Sequence, residues 1–380
     1  MTVPRQRATT TPSVRPRSPD ADNLKVCLVV GVIVAHVTMA WTGLGTWVFD
    51  EPPVGEPMLS VATLLAVIGS LFGMALFFLI AGVFTPRSLA RKGLGRFLAD
   101  RAIRLGAPMV FFAVVLSPIV EYVDPENAGW AKGFGAFAVH TWWPPVPGPT
   151  WFLGVLLLLS VVYAVTRTLL PARTSHPTPL RARYLVTAGA VVALASYALR
   201  FAIPLGQERW HMALGQAPAW VVGFTLGALA GERGWFDPIE ATMARNGRHV
   251  AWGALAGCVV VIGLASALGA NIDDFGGGGT WQSLVVAALE ATLVVTVPLW
   301  LLDLFRRRFN HQGPLAREMS RAAFAAFIVH QVVLVGLVLA SHHVPWAPEP
   351  KYVTVSVLGV LGSFAIGSLL VRLPGVSRVI

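Results

Sequence analysis

The sequence predicts an all-α fold: a polytopic membrane helix bundle of about ten transmembrane helices, with both termini cytoplasmic. Three observations predict it. Of 380 residues, 55% are hydrophobic and only 13% are charged, whereas a soluble domain carries about 25% charged residues. The apolar residues gather into runs near the length of about 20 that a helix needs to cross hydrocarbon. Finally, the cations fall in alternate connecting segments.

In order, the runs are roughly 24–44, 60–84, 102–123, 151–170, 184–204, 216–231, 249–269, 280–303, 321–341 and 352–373. The sixth is short and Gly-rich and meets the length criterion least well. Residues 1–21 are rich in Pro, Thr, Ser and Arg without an apolar face, and read as a disordered cytoplasmic tail. Residues 22–380 read as a single membrane-embedded domain. The first run lacks a small-residue cleavage site, so it is expected to be a signal anchor rather than a cleaved peptide.

Charge sets the expected orientation. With the N-terminus inside, all but four of the 29 Lys and Arg residues fall on the inner side. The exceptions are Lys132, Arg200, Arg209 and Lys351. The outer segments are acidic instead, with Glu51, Glu56, Asp124, Asp273 and Asp274 among them. This is the asymmetry of a membrane protein with basic inner loops. It assigns the formal charge of +10 to topology and membrane-lipid attraction and excludes nucleic acid as a partner. Cys27 and Cys258 lie in apolar runs and read as small core residues; no disulfide framework, redox motif or metal site is expected from them. No internal repeat of helix pairs is visible, which weakens a transporter built on repeats.

Candidate chemistry begins at Asp22-Asn23-Leu24-Lys25, followed by an apolar run broken by His36. Eleven helical residues are almost three turns, so Lys25 and His36 share a face, separated by roughly 16 Å. That puts Lys25 near the surface and His36 near mid-membrane, where an ionisable group is expensive and turns toward protein or water. His36 is then either a hydrogen-bonded core residue or a general base, since imidazole titrates near neutrality and accepts a hydroxyl proton. Arg101 and Arg104, with Pro108 one turn on, put two guanidinium groups on one side of the third run. They are either inner-face anchors or a phosphate site, for which the planar guanidinium fork is suited. Trp142, Trp143 and Trp151 flank a Pro-stiffened segment ahead of the fourth run. They are interfacial anchors or flat surfaces for the apolar faces of a sugar. Glu290 and His330 are expected near the depth of His36, and a buried Glu290 must be protonated, hydrated or paired.

Together these residues resemble the integral-membrane acyltransferase family 3, whose members O-acylate surface polysaccharides, glucans and macrolides. The first-helix pattern of an acid, a cation three residues on and a distant His stands here as Asp22, Lys25 and His36. The family's aromatic run after helix two is similar to Phe77-Phe78-Leu79-Ile80-Ala81-Gly82-Val83-Phe84. Its paired arginines before a Pro match Arg101, Arg104 and Pro108; its Trp-Phe-Leu matches Trp151-Phe152-Leu153; its late Ser-to-His element matches Ser320 to His330. Ala81 replaces a small hydroxyl residue, and Phe324 and Phe327 stand where Tyr is common.

The resemblance implies an acyltransferase that moves an acyl group, most simply acetyl, from cytoplasmic acyl-CoA to a hydroxyl of a saccharide or exported glycosylated product. Acyl-CoA would be a co-substrate, with no tightly bound cofactor. His36, Lys25 and Glu290 are the expected catalytic set, Arg101 and Arg104 the CoA-phosphate set, and Trp151, Trp143 and His330 the acceptor set. The expected location is the cell's plasma (inner) membrane. A multi-pass exporter of a lipid or small molecule is the alternative; a catalytically dead relative is a third, against which the Lys25/His36 pair stands.

Overall fold

A computed structural model describes residues 18–43, 51–124, 133–141, 143, 145–170, 178–210, 212–236 and 239–379. Ten long helices run in order: α1 Pro19–Thr42, α2 Met58–Lys92, α3 Leu94–Tyr122, α4 Trp151–Leu169 and α5 Ala182–Leu199. They continue as α6 Ala217–Arg233, α7 Ala241–Ala267, α8 Trp281–Arg308, α9 Pro314–His342 and α10 Pro348–Leu370. Among the described residues there is no strand, only one isolated bridge between Arg209 and Met212. Nine of the described helices are long and apolar enough to cross a membrane; α6, at 17 residues, is the exception. The chain is a multi-pass, all-α membrane bundle, because hydrocarbon leaves backbone groups no partner but their own helix.

Glycine explains why the short sixth run is a helix. Gly223, Gly227 and Gly231 recur every fourth residue and form one stripe of α6. That stripe lies on Ala75, Leu79 and Val83 of α2, also four apart. A Cβ at Gly223 would meet the Ala75 carbonyl oxygen at 2.7 Å, and those at Gly227 and Gly231 would lie nearer still. Lipid offers no hydrophobic gain for helix association, so close backbone approach through small residues replaces it.

Proline shapes α3. Its ladder widens to π-helical turns at Ala102–Gly106 and Phe112–Leu116. Each precedes a proline, Pro108 or Pro118. Proline removes a ladder donor and its ring presses on the carbonyl four residues back, which a wider turn relieves.

Contacts gather the basic helix ends at one end of the bundle. The Asn23 amide of α1 donates to the carbonyls of Phe309 (2.7 Å) and His311 (2.9 Å) between α8 and α9. Arg306 of α8 donates to Phe236 O, just after α6, at 3.1 Å. Arg167 of α4 grips Glu232 of α6 at 2.7 and 2.5 Å. At the acidic end, the buried Glu51 carboxylate pairs with His342 and, at 3.9 Å, Lys351.

The structure corrects three expectations. The Phe77–Phe84 run lies inside α2, which extends to Lys92, rather than after it. Cys27 is on the exposed outer face of α1, where an apolar thiol suits lipid; Cys258 is buried as expected. Arg200, expected as an outer-side cation at the end of the fifth run, is fully buried at the end of α5.

The α2–α6 seam gives the first prediction. Gly227→Ala overpacks it and should cost about 1–3 kcal/mol, whereas Gly31→Ala on α1 meets open space and should cost nothing. Thermal unfolding of the purified variants in detergent checks this; equal melting temperatures would contradict the seam.

Candidate active site

α1 is unbroken from Lys25 to His36, so the two residues share a face. His36 turns inward and meets His330 of α9 ring edge to ring face, with centroids 4.9 Å apart. The shared depth read from the sequence is therefore a contact. His36 Nδ1 lies 2.8 Å from Val32 O, one turn back on its own helix. His330 Nδ1 lies 2.6 Å from Phe327 O. A carbonyl only accepts, so each Nδ1 donates and each neutral ring keeps its lone pair at Nε2. The Nε2 of His330 is buried without a hydrogen-bond partner. Two imidazoles with their basic nitrogens fixed this way are equipped to take a proton from a hydroxyl.

An aromatic wall connects this pair to the other motifs. Phe327 packs 5.7 Å from His330 and 6.0 Å from Phe152 of α4. Phe152 meets Phe78 (4.7 Å) and Phe77 (5.7 Å) of α2. Trp220 of α6 stacks on Phe78 at 6.0 Å and meets Trp151 at 4.6 Å. Such pairs contribute about 0.5–1.5 kcal/mol each beyond area burial. The lead-in to α4 is fixed from above. Gly148 has φ +45°, and a Cβ there would lie 2.6 Å from Gln331 Oε1 beside His330. The Pro-Gly-Pro turn thus closes against α9.

At the basic end, α2 and α3 border a half-open cavity of about 460 Å³ lined by Phe84, Arg87, Ser88, Arg91, Lys92, Asp100, Arg101 and Arg104. Arg101 and Arg104 reach it together, as their spacing predicts. Arg101 lies over the Phe97 ring at 5.1 Å and its Nη2 approaches Thr85 Oγ1 at 3.5 Å. Asp100 pairs with Lys92 (2.6 Å) and Arg104 (3.1 Å). The lining stops short of the histidines; α2 spans the interval, with Thr85 at the cavity end and Phe78 seven residues, about 10 Å, further in.

Glu290 has a different neighbour from the one its depth suggested. Its Oε2 lies 2.6 Å from Arg200 Nη2, with both side chains fully buried. Arg200 Nε also donates to Gly215 O at 3.2 Å, ahead of α6. Among the described contacts Glu290 touches neither histidine. The ion pair ties α5 to α8 and meets the expectation that a buried Glu290 must be paired.

The remaining predicted residues are placed as follows. Lys25 pairs with Asp22 at 3.2 Å and does not line the cavity. Trp151 is half-buried beside Trp220, Trp143 is 70% exposed, and Trp142 lies outside the described residues. Sequence reading missed Arg87, Arg91, Gln331 and Trp220. The i, i+4 spacing of Arg87 and Arg91 was the available signal for the first two; nothing local marks the others.

A family model described as an acyltransferase domain, of acyltransferase family 3, matches residues 19–369, nearly the whole chain. No curated protein and no solved structure matches the chain.

The buried ion pair gives the second prediction. Arg200→Met strands the Glu290 carboxylate and should destabilise the protein by about 3–5 kcal/mol, while Arg200→Met/Glu290→Met should recover most of that loss. Thermal unfolding of both variants checks it; a double variant no more stable than the single one would contradict the pairing.

Proposed function

The chain belongs to this family of membrane acyltransferases, and from that premise we propose that it transfers an acyl group, most simply acetyl, from acyl-CoA to a hydroxyl of a saccharide or exported glycosylated metabolite. Its setting is the cell's plasma (inner) membrane, with the basic end cytoplasmic, as the rule of basic inner loops expects. The observation that carries the reading is the His36–His330 contact, with both Nδ1 protons held by backbone carbonyls.

The chemistry follows from those placements. The acceptor hydroxyl oxygen attacks the thioester carbonyl carbon, an ester forms and the carbon–sulfur bond breaks. His36 Nε2 takes the hydroxyl proton and returns it to the departing CoA thiolate, so the protein ends unchanged. His330, beside it, orients the acceptor hydroxyl. Arg101 and Arg104 hold the donor's phosphates through paired N–H donors. Lys25 is roughly 16 Å from His36 along α1 and is paired with Asp22 outside the cavity, so it does not reach the reacting carbonyl. The acceptor comes from the acidic end, past Trp143 and Trp151, whose flat rings suit sugar faces. The aromatic wall keeps water from the thioester, so that the acceptor and not water is acylated.

Two outcomes are expected with purified protein and labelled acetyl-CoA. His36→Ala should lower kcat by about 10²–10⁴ with the melting temperature retained; full transfer would remove the general base. Arg101→Ala/Arg104→Ala should raise KM for acetyl-CoA at least about tenfold, as loss of charge-assisted hydrogen bonds demands, with kcat little altered. An unchanged KM would contradict the phosphate assignment. Mass spectrometry of glycans and metabolites from cells with and without the protein identifies the acceptor by a mass difference of one acyl group.

A further inference from the structure

The reading above leaves part of the cationic cavity unused. We infer that Arg87 and Arg91 form a second, separate phosphate subsite that takes the 3′-phosphate on the donor's ribose, selecting CoA thioesters over donors without it. This rests on the acyl-CoA reading of the same cavity.

The charge balance points there first. Five cations line the cavity against one carboxylate, Asp100, which Lys92 and Arg104 already share. No carboxylate among the described ion pairs answers Arg87, Arg91 or Arg101. Like charges at i, i+4 repel, so Arg87 and Arg91 on one face of α2 favour an anion between them. Ser88, also in the lining, adds a hydroxyl donor. The donor's diphosphate carries about two negative charges; a phosphomonoester, with a second pKa of about 6, adds about 1.5–2 more. The net formal charge of the lining therefore matches the whole nucleotide, and a diphosphate alone would answer only half of it.

Geometry then assigns the two subsites. The cations stand on two helices that meet at Gly93, where φ is +72°. Arg87 and Arg91 lie on the α2 side, six and two residues from that turn; Arg101 and Arg104 lie eight and eleven residues beyond it on α3. Arg101 is the one of these four arginines that is partly buried, and it reaches Thr85, the α2 residue that leads inward to Phe78, with Arg104 one turn on along α3. The diphosphate, from which the pantetheine arm continues to the thioester, belongs with Arg101 and its helix neighbour Arg104. The 3′-phosphate branches from the ribose away from that arm and falls to Arg87 and Arg91, both exposed. The cavity volume of about 460 Å³ falls within the range of small-molecule sites.

The test compares acetyl-CoA with acetyl-3′-dephospho-CoA, using the full chain in nanodiscs of zwitterionic lipid. The native protein should show a KM at least about tenfold lower for acetyl-CoA. Arg87→Ala and Arg91→Ala should each raise KM for acetyl-CoA severalfold and that for the dephospho donor much less, so the ratio falls toward one. Arg91→Lys should recover part of the ratio. Arg101→Ala/Arg104→Ala should raise both KM values alike. Equal use of both donors by the native protein, or Arg87 and Arg91 variants that weaken both donors equally, would overturn the subsite. An anionic phospholipid that removes the donor preference in the native protein would assign these arginines to lipid headgroups and overturn it too. Transfer without discrimination sinks this inference alone, whereas no transfer from either donor sinks the acyl-CoA reading with it.

Discussion

Each of the two interior imidazoles gives its Nδ1 proton to a carbonyl of its own helix. The rest of the site depends on that bond. In hydrocarbon no water satisfies a stray donor, so a polar group must find its partner within the bundle. The bundle meets this requirement locally wherever it can. Thr38, Thr85 and Thr296 return their hydroxyls to carbonyls four residues back. Arg200 and Glu290 answer each other. The His330 Nε2, the neighbouring Gln331 Oε1 and the Arg101 Nε are among the thirteen buried side-chain atoms of the described residues that have no hydrogen-bond partner. Buried polar atoms left open in this way are costly, and these three lie along the path assigned to donor and acceptor.

The two charge centres divide the work between the ends of the molecule. Cations of α2 and α3 meet at the basic end, where long side chains remain wet and electrostatic attraction acts on a soluble polyanion. The histidines lie within α1 and α9, ring against ring. The phenyl rings of Phe77, Phe78 and Phe152 pack together on α2 and α4, and Phe152 reaches His330 through Phe327. A donor with a charged handle and a long uncharged arm fits that division; a compact charged substrate does not.

Much of this was legible in the sequence because the membrane reduces the possibilities. Apolar run length gave the helices, and the eleven-residue spacing from Lys25 to His36 gave the shared face. Depth counting put His330 level with His36, and the contact followed. The same counting required a partner for Glu290 but could not name it, because depth says nothing about rotation around the bundle, and rotation turns Glu290 to Arg200. It also left Arg200 as an outer-side cation at the end of the fifth run, since a guanidinium at a helix end looks the same whether it points to water or to a buried carboxylate. α6 was obscure because its stability comes from glycines pressed on α2, a tertiary effect with no apolar signature. Arg87 and Arg91 read as ordinary inner-face cations until the turn at Gly93 brought α3 alongside them.

The most direct measurement is a structure of the protein bound to a non-hydrolysable acyl-CoA analogue. This account predicts the acyl carbonyl beside the Nε2 atoms of His36 and His330, with the nucleotide phosphates among the arginines of α2 and α3. An acyl group seated away from both rings, or phosphates bound outside the α2–α3 cavity, would contradict it.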